Sequence, residues 1–364
     1  MLKFIHAADF HLDSPFAALP AGRAAERRRE SRELIFRLAD YVNSRGIHLV
    51  LLAGDLFDSA ALYQETGEAL AEAFRRINAH IFAVPGNHDW YGPGSPWAVV
   101  KWPENVYIFR ENTMTAAALP DLGAVIHGAA FTGPEQAESL LRNFSVPEDG
   151  NIHIGLLHGE IDPAGARYNP LRREEIASSG LDYLALGHIH KRETPESYGR
   201  TLCAWPGCIE GRGFDELGEK GFYEGVIEGG SVSLSFIPFA LHRYERLDVD
   251  VTGQSLREAV EAALPEETGN DLYRICLTGE TGEGGANPKA LETALSGRFY
   301  SLEIQDHTRV AADVWARAGE DSLRGLFLRE LRARWEAAED DAGRESITRA
   351  VRFGLAALDH RDMG

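Results

Sequence analysis

Five short polar motifs contain residue types that could bind metal ions. In chain order they are Asp9-Phe10-His11, Gly54-Asp55-Leu56-Phe57-Asp58, Gly86-Asn87-His88-Asp89, Leu157-His158-Gly159 and Gly187-His188-Ile189-His190. Carboxylate, imidazole and amide oxygen ligands together suit borderline divalent ions such as manganese, iron or zinc. Each motif alone is weak, because a lone histidine at a strand end is more often a hydrogen-bonded structural residue. The five motifs in one order are hard to attribute to chance.

Two ions that share a carboxylate could catalyse the hydrolysis of a phosphate ester. Residues at positions i and i+2 after a strand can both turn toward one ion, and adjacent glycines let the backbone approach closely. Two bridged ions can hold both the attacking and the leaving oxygen of an in-line phosphoryl displacement. The motifs therefore predict a two-metal hydrolytic site.

The motifs occur where an open α/β sheet gathers its ligands. Short apolar runs predict strands at residues 2–7, 47–53, 81–84, 124–127, 152–157 and 183–186. Helical periodicity predicts helices at residues 26–45 and 65–78. The residues that follow the C-terminal ends of predicted strands include Asp9, Asp55, Asn87, His158 and His188. This alternation of strands and helices predicts an α/β fold.

The pattern changes twice beyond residue 200. Strand patterns separated by glycines, at residues 221–228 and 232–236, predict antiparallel strands at the end of a first domain. A new β/α pattern follows, with strands at residues 243–251, 272–277 and 299–304 and helices at residues 255–263 and 288–295. Residues 278–287 are rich in Gly and Glu, so we expect an exposed loop there. The last fifty residues have two amphipathic patterns that predict a helical hairpin. The predicted domains are residues 1–240, 241–310 and 311–364.

The composition is that of a folded protein, but its charge argues against independent binding of nucleic acid. The 364 residues exceed the usual size of one hydrophobic core, and 44% are hydrophobic and 26% charged. The formal net charge is −19, whereas affinity for nucleic acid rests mostly on lysine and arginine. Two arginine-rich segments, residues 23–32 and 324–352, also hold acidic residues, so a solvated helix face is the favoured interpretation of each.

Neither the N-terminus nor the cysteines indicate export. The apolar run at the N-terminus is too short for a signal peptide, and no later run approaches the roughly 20 residues that span a bilayer. The sequence therefore predicts a cytoplasmic protein without membrane segments. Cys203, Cys208 and Cys276 are odd in number and lack CxxC spacing, so we expect buried thiols instead of disulfides or a thiolate zinc site.

The motif series resembles that of the calcineurin-like metallophosphoesterases. D-x-H, GDxxD, GNHD, an isolated histidine and GHxH occur in that order between residues 9 and 190. Residues 4–13, the Leu-Phe pair in GDLFD and the GHIH motif look like the SbcD-like nuclease subunits of DNA repair complexes. Residues 206–208, 211–216 and 220–222 extend the resemblance to about residue 240. It implies a layered α/β/β/α sandwich with a small α+β capping domain and C-terminal helices.

The resemblance also implies how the ligands divide between two divalent ions. The first ion would be bound by Asp9, His11, Asp55 and His190. The second would be bound by Asp55, Asn87, His158 and His188. Asp55 would then bridge the ions, and manganese is the expected metal, with iron or zinc as alternatives.

Three further residues receive roles from the same resemblance. His88, beside the ligand Asn87, would protonate the departing sugar oxygen, as a histidine with a pKa near neutrality can. Asp89 would orient and charge His88. Asp58 would support the ligands from outside.

The activity implied is a metal-dependent DNA phosphodiesterase, an SbcD-like exonuclease that could also cut internally, acting in DNA repair. An SbcC-like ATPase with coiled-coil arms would supply much of the DNA engagement, which would reconcile the activity with the acidic chain, and a homodimer is compatible with the sequence. A phosphodiesterase of small or cyclic nucleotides is the alternative, because the core site does not encode substrate size. A serine/threonine phosphatase is disfavoured because Ser59-Ala60 follows Asp58 where those enzymes have Arg-Gly. A non-catalytic scaffold is disfavoured because every expected ligand is present.

Overall fold

The computed structural model divides the chain into two units, Met1–Arg243 and Tyr244–Gly364. It describes residues 1–17, 19–59, 63–165, 167–281, 286–310 and 315–358. Within these residues, no helix is long and apolar enough to cross a membrane. The three cysteines are buried and free, as predicted.

Two six-stranded mixed sheets form the framework of the first unit. The first contains β1 (Leu2–Ala7), β2 (Leu49–Ala53), β3 (His80–Val84), β4 (Val106–Ile108), β13 (Gly221–Glu228) and β14 (Ser231–Pro238). The second contains β5 (Thr115–Leu119), β6 (Ala124–Gly128), β7 (Ile152–His158), β10 (Tyr183–Gly187), β11 (Glu196–Tyr198) and β12 (Thr201–Ala204). A separate pair is formed by β8 (Glu160–Ile161) and β9 (Pro170–Leu171).

The sheet order brings the motif-bearing strands side by side. The orders are β14-β13-β1-β2-β3-β4 and β11-β12-β10-β7-β6-β5. In the first sheet β1, β2, β3 and β4 are parallel, and in the second β6, β7, β10 and β12 are parallel. The carboxyl ends of β1, β2 and β3 therefore lie at one edge of the first sheet, and those of β7 and β10 at one edge of the second.

Alternate residues of β1 face different cores, which gives the first unit four layers. Phe4 packs with residues of β6, β7 and β10 between the two sheets. Ile5 packs with α1 (Ala21–Arg45) and α2 (Gln64–Arg76), and Leu184 of β10 packs with α4 (Arg173–Ser179). Full burial of each such side chain contributes roughly 1.5–3 kcal/mol. The predicted α/β/β/α sandwich is confirmed, and the short helix α3 (Pro96–Val99) lies between β3 and β4 in the chain.

Helix α1 differs from the prediction at its start and on its arginine-rich face. It begins at Ala21, five residues before the predicted start, and ends where Gly46 adopts a left-handed φ of 61°. Arg27 is fully buried, and its Nη2 donates to Glu210 Oε1 at 2.6 Å and to the Gly211 carbonyl at 3.2 Å. The expectation of a wholly solvated face is therefore wrong at Arg27, which joins α1 to the segment after β12.

The second unit holds a three-stranded parallel sheet and the C-terminal helices. The sheet order is β15-β16-β18, with β15 (Tyr244–Asp250), β16 (Leu272–Thr278) and β18 (Ser301–Asp306), and β17 (Glu280–Thr281) pairs with β19 (Arg309–Val310). The helices are α5 (Leu256–Ala263), α6 (Pro288–Leu295), α7 (Leu323–Ala337) and α8 (Asp341–Leu358). Glu280–Thr281 is a strand where a loop was predicted. Residues 282–285 of that loop, and residues 311–314 and 359–364 of the predicted C-terminal domain, lie outside the described residues.

Candidate metal centre

The strand ends of both sheets place the polar motifs together. Asp9 follows β1, Asp55 follows β2, Asn87 follows β3, His158 ends β7 and His188 follows β10. Ligand sites in open α/β sheets lie beyond the carboxyl ends of parallel strands. The observed pairing of these strands therefore provides the framework that the sequence predicts for the site.

The backbone turns sharply at four of the predicted metal ligands. Positive φ angles occur at Asp9 (53°), His11 (44°), Asp55 (51°) and His188 (93°). A residue with a side chain adopts this region at an energetic cost, which functional sites often carry. A Cβ atom at position 86 would overlap the Asp55 carboxylate, so only glycine fits there. The turns let residues at i and i+2 both face the centre.

The first group consists of Asp9, His11, Asp55 and His190. One potential ligand atom from each lies within 4.8 Å of the others. His11 Nε2 is 4.0 Å from Asp9 Oδ1, 3.7 Å from Asp55 Oδ2 and 3.1 Å from His190 Nε2. Both carboxylates are buried, with 0% and 1% exposure. Two buried carboxylates need a compensating positive charge, which a divalent cation would supply, so this donor set fits a metal ion.

The second group is formed by Asn87, His158 and His188 beside Asp55. Asn87 Oδ1 lies 2.9 Å from His158 Nε2 and 3.1 Å from His188 Nδ1. Asp55 Oδ2 lies 3.4 Å from His158 Nε2. The same oxygen is 3.7 Å from His11 Nε2 of the first group, so Asp55 stands between the two groups.

Burial and neighbouring charges shift the pKa values of the groups at this centre in different directions. Burial would raise the pKa of Asp55, but the charges of His158 and His11 outweigh it and hold that pKa below its ordinary value. Burial lowers the pKa of His158, yet the charge of Asp55 raises it overall to about 9. Burial, then the charge of His158, lowers the pKa of His188 to about 3. The buried Asp55 carboxylate thus favours a positive charge beside it, which a divalent cation would supply.

Comparison with known proteins identifies the family. The family model described as Calcineurin-like phosphoesterase matches residues 2–192. The chain belongs to this family. It is therefore a metallophosphoesterase with an Asp/His cluster that is typical of dimetal phosphoesterases.

Proteins similar to this phosphoesterase include two curated relatives and one solved structure. An uncharacterized metallophosphoesterase of Bacillus subtilis, YhaO, is 32% identical over 262 residues, which cover 69% of this chain and 64% of that protein. The DNA double-strand break repair protein Mre11 of Methanopyrus kandleri is 24% identical over 285 residues, covering 71% of this chain and 61% of that protein. The chain thus spans less than two thirds of the length of either relative. The crystal structure of TT1561 from Thermus thermophilus gives a TM-score of 0.38 at 14% identity, covering 65% of this chain and 98% of that one.

His88 lies at the exposed side of the phosphoesterase site. Its backbone N–H donates to Asp55 Oδ1 at 2.9 Å, and its Nδ1 lies 3.1 Å from the Asp58 carbonyl oxygen. The centroid of its ring lies 4.8 Å from that of His11. Because a carbonyl oxygen only accepts, this hydrogen bond requires Nδ1 to carry the hydrogen, which leaves Nε2 free to exchange a proton.

Asp89 has a role other than the predicted one. It is fully buried, and its carboxylate accepts hydrogen bonds from the backbone N–H groups of Leu56 at 2.8 Å, Phe57 at 3.2 Å and Gly86 at 2.7 Å. Burial, then the charge of Asp55, raises its pKa to about 7. The expectation that Asp89 orients His88 is therefore corrected: Asp89 ties together the two loops that carry Asp55 and Asn87.

Sequence reasoning missed two carboxylates that contact the predicted ligands. Glu160 Oε1 lies 2.9 Å from His188 Nε2, and Glu216 Oε1 lies 2.7 Å from His190 Nδ1. Glu160 is two residues after His158, and Glu216 belongs to the segment that carried the family resemblance beyond the last motif. The resemblance covered Glu216 but gave it no role, since its contact with His190 spans 26 residues of sequence.

Proposed function

We propose that this phosphoesterase is a metal-dependent DNA phosphodiesterase, an SbcD-like exonuclease that could also cut internally, acting in DNA repair. The observation that supports two-metal hydrolysis is the position of Asp55 Oδ2, which faces His11 on one side and His158 on the other. The choice of DNA rests on the motif resemblance and on the likeness to Mre11, which is named as a DNA double-strand break repair protein.

In this proposal Asp55 joins two ligand sets. Asp9, His11 and His190 would complete the first, and Asn87, His158 and His188 would complete the second. Two bound ions, with manganese expected and iron or zinc as alternatives, would supply an activated water and charge compensation for the phosphate. The carboxyl ends of β1, β2 and β3 would hold the loops that carry Asp9, Asp55 and Asn87 in place before substrate binds.

His88 would act as the general acid. Its Nδ1 is held by the Asp58 carbonyl, so Nε2 is the atom that would pass a proton to the departing sugar oxygen. Its exposure allows contact with a bound phosphodiester, whereas Asp9 and Asp55 are buried. The hydrogen bond from the His88 backbone N–H to Asp55 Oδ1 holds the backbone of the proposed general acid next to the proposed bridging carboxylate.

A phosphodiesterase of small or cyclic nucleotides is the second candidate, and the net charge of −19 favours it. One assay separates the two. Manganese-dependent turnover is measured on single- and double-stranded DNA, on a cyclic dinucleotide and on a bis-aryl phosphodiester, with Asp55→Asn as the blank. Faster DNA cleavage supports the proposal, and turnover of the cyclic dinucleotide without DNA cleavage overturns it.

An SbcC-like coiled-coil ATPase is the proposed partner, and helices α7 and α8 offer the surface for it. These helices pack on each other through Leu328, Val351 and Leu355. Leu323 and Leu326, at the start of α7, are 68% and 58% exposed. Apolar residues at i and i+3 on one side of a helix are the kind of anchor that a partner groove receives.

A further inference from the structure

A cluster of three charged side chains lies behind His11 and His190, next to their Nδ1 atoms. Asp58 Oδ1 is 3.2 Å from His11 Nδ1, and Glu216 Oε1 is 2.7 Å from His190 Nδ1. Arg212 donates to both carboxylates, from Nη1 to Asp58 Oδ1 at 3.0 Å and from Nη2 to Glu216 Oε1 at 2.7 Å. One guanidinium therefore connects two carboxylates, each of which contacts a different imidazole.

We infer that Arg212, Asp58 and Glu216 act together as a positioning unit, the Arg212 clamp, which aims Nε2 of both imidazoles at the first ion. The inference rests on the ligand set proposed above. A carboxylate that accepts from Nδ1–H fixes the tautomer and ring orientation of a metal-binding histidine and raises its basicity. Both Nε2 atoms point into the first group, 3.1 Å apart.

The clamp is held by its own loop. Glu216 is 5% exposed, and its second oxygen accepts the Arg212 backbone N–H at 2.8 Å. The Glu216 N–H donates to the Gly213 carbonyl at 3.0 Å, which closes residues 213–216 into a turn. The turn and the hydrogen bond from the Arg212 backbone N–H thus hold the Glu216 carboxylate beside His190.

The clamp serves one ion because the other imidazoles have different supports. His158 Nδ1 lies 2.9 Å from the Ala53 carbonyl, and His188 Nε2 lies 2.9 Å from Glu160. Loss of Glu216 would therefore loosen His190 without releasing His158 or His188. A purely structural ion pair, by contrast, would change stability without a preference for either ion.

The test is manganese binding to the full chain, measured by calorimetric titration, by metal content and by the spin-coupled Mn²⁺ resonance of two neighbouring ions. We expect Glu216→Ala to lower the affinity for one of the two Mn²⁺ ions by about 10- to 100-fold and to abolish the coupled resonance. The affinity for the other ion should not change. Asp58→Ala should lower the affinity for the same ion. Glu216→Gln keeps an acceptor for Nδ1–H and should lose less, which also provides a test if the alanine variant does not fold.

Glu210→Ala is the matched control. Glu210 is a buried carboxylate of the same segment, 3% exposed, but it bonds Arg27 and the backbone of Leu241. This variant should lower the melting temperature and leave both manganese affinities unchanged. Equal losses of manganese affinity in Glu210→Ala and Glu216→Ala would overturn the inference. So would Glu216→Ala and Glu216→Gln variants in which the affinities for both ions are unchanged.

These measurements use no nucleic acid, so the clamp and the substrate proposal can fail separately. A wild-type chain that binds two ions but cleaves no DNA leaves the clamp standing and removes only the DNA assignment. A wild-type chain that binds no divalent manganese or zinc overturns both.

Discussion

Asp55 has the surroundings expected of a shared ligand. Its backbone is left-handed, with φ of 51°, and Gly86 leaves room for its carboxylate. Substitution by asparagine removes the charge that would attract both ions. We predict that Asp55→Asn abolishes hydrolysis and lowers the total bound metal, as measured by plasma emission. His11→Ala should affect mainly one ion, and an Asp55→Asn chain with two ions and normal turnover would show that Asp55 does not bridge.

His88 allows proton transfer to be separated from metal binding. His88→Ala should keep the metal content but lose rate by about 100-fold on a substrate with a poor alkoxide leaving group. The leaving group of an activated aryl ester needs little protonation, so the rate on that substrate should fall less. Turnover of the two substrates, with metal content measured in parallel, checks this. Equal losses on both substrates would mean that His88 serves the metal site.

The sequence predicted the residues that meet at the centre better than it predicted their supports. Asp9, Asn87 and His188 could be placed because each follows a strand, and strand order then decides their distance. The resemblance implied that Asp89 orients His88, but the turn directs the Asp89 carboxylate to the backbone of Leu56. Contacts such as Glu216 with His190 depend on tertiary folding and have no spacing rule.

In the second sheet, the central strands β6, β7 and β10 were predicted from the sequence and the two edge strands were not. The predicted strand at residues 124–127 is observed as Ala124–Gly128, and that at residues 183–186 as Tyr183–Gly187. The strands Thr115–Leu119 and Glu196–Tyr198 lie at the two edges of the second sheet, and neither was among the predicted strands. Their residues take strand form through pairing with a neighbour, since alanine and glutamate have weak intrinsic preference for it.

Helix α1 provides a prediction about stability. Arg27 is fully buried against Glu210, so removal of the guanidinium leaves a buried carboxylate without that partner. Breaking a buried pair in this way costs about 3–5 kcal/mol, so Arg27→Met should lower the free energy of unfolding by roughly 3 kcal/mol. Urea denaturation measures it. The double variant Arg27→Met with Glu210→Gln should recover part of the loss, and an additive further loss would contradict the pairing.

At the scale of the whole molecule, the acidic chain limits what the metal centre can do alone. The net charge of −19 opposes a polyanion, whereas contacts near the centre act only once the substrate has arrived. A partner that engages DNA would remove this difficulty. The proposed ATPase and the proposed substrate are therefore linked, and the surface at the start of α7 is the place to test the link.

Substitution tests this surface better than deletion of α7 and α8. Arg352 of α8 is nearly buried and donates to the Thr308 carbonyl at 2.8 Å, so deletion would expose the partners of that guanidinium in the second unit. We predict that Leu323→Glu with Leu326→Glu leaves folding, metal content and turnover of a small ester unchanged, because both side chains are largely exposed. The same variant should lose binding to the co-expressed ATPase in a pull-down, because two buried charges oppose an apolar contact.

Val99→Glu is the control for that experiment. Val99 is 57% exposed in the first unit and lies outside α7 and α8, so its substitution should not change ATPase binding. If the α7 variant still binds the ATPase, or if Val99→Glu weakens binding equally, the start of α7 is not the docking surface. If the α7 variant loses folding cooperativity, Leu323 and Leu326 instead stabilise the second unit itself.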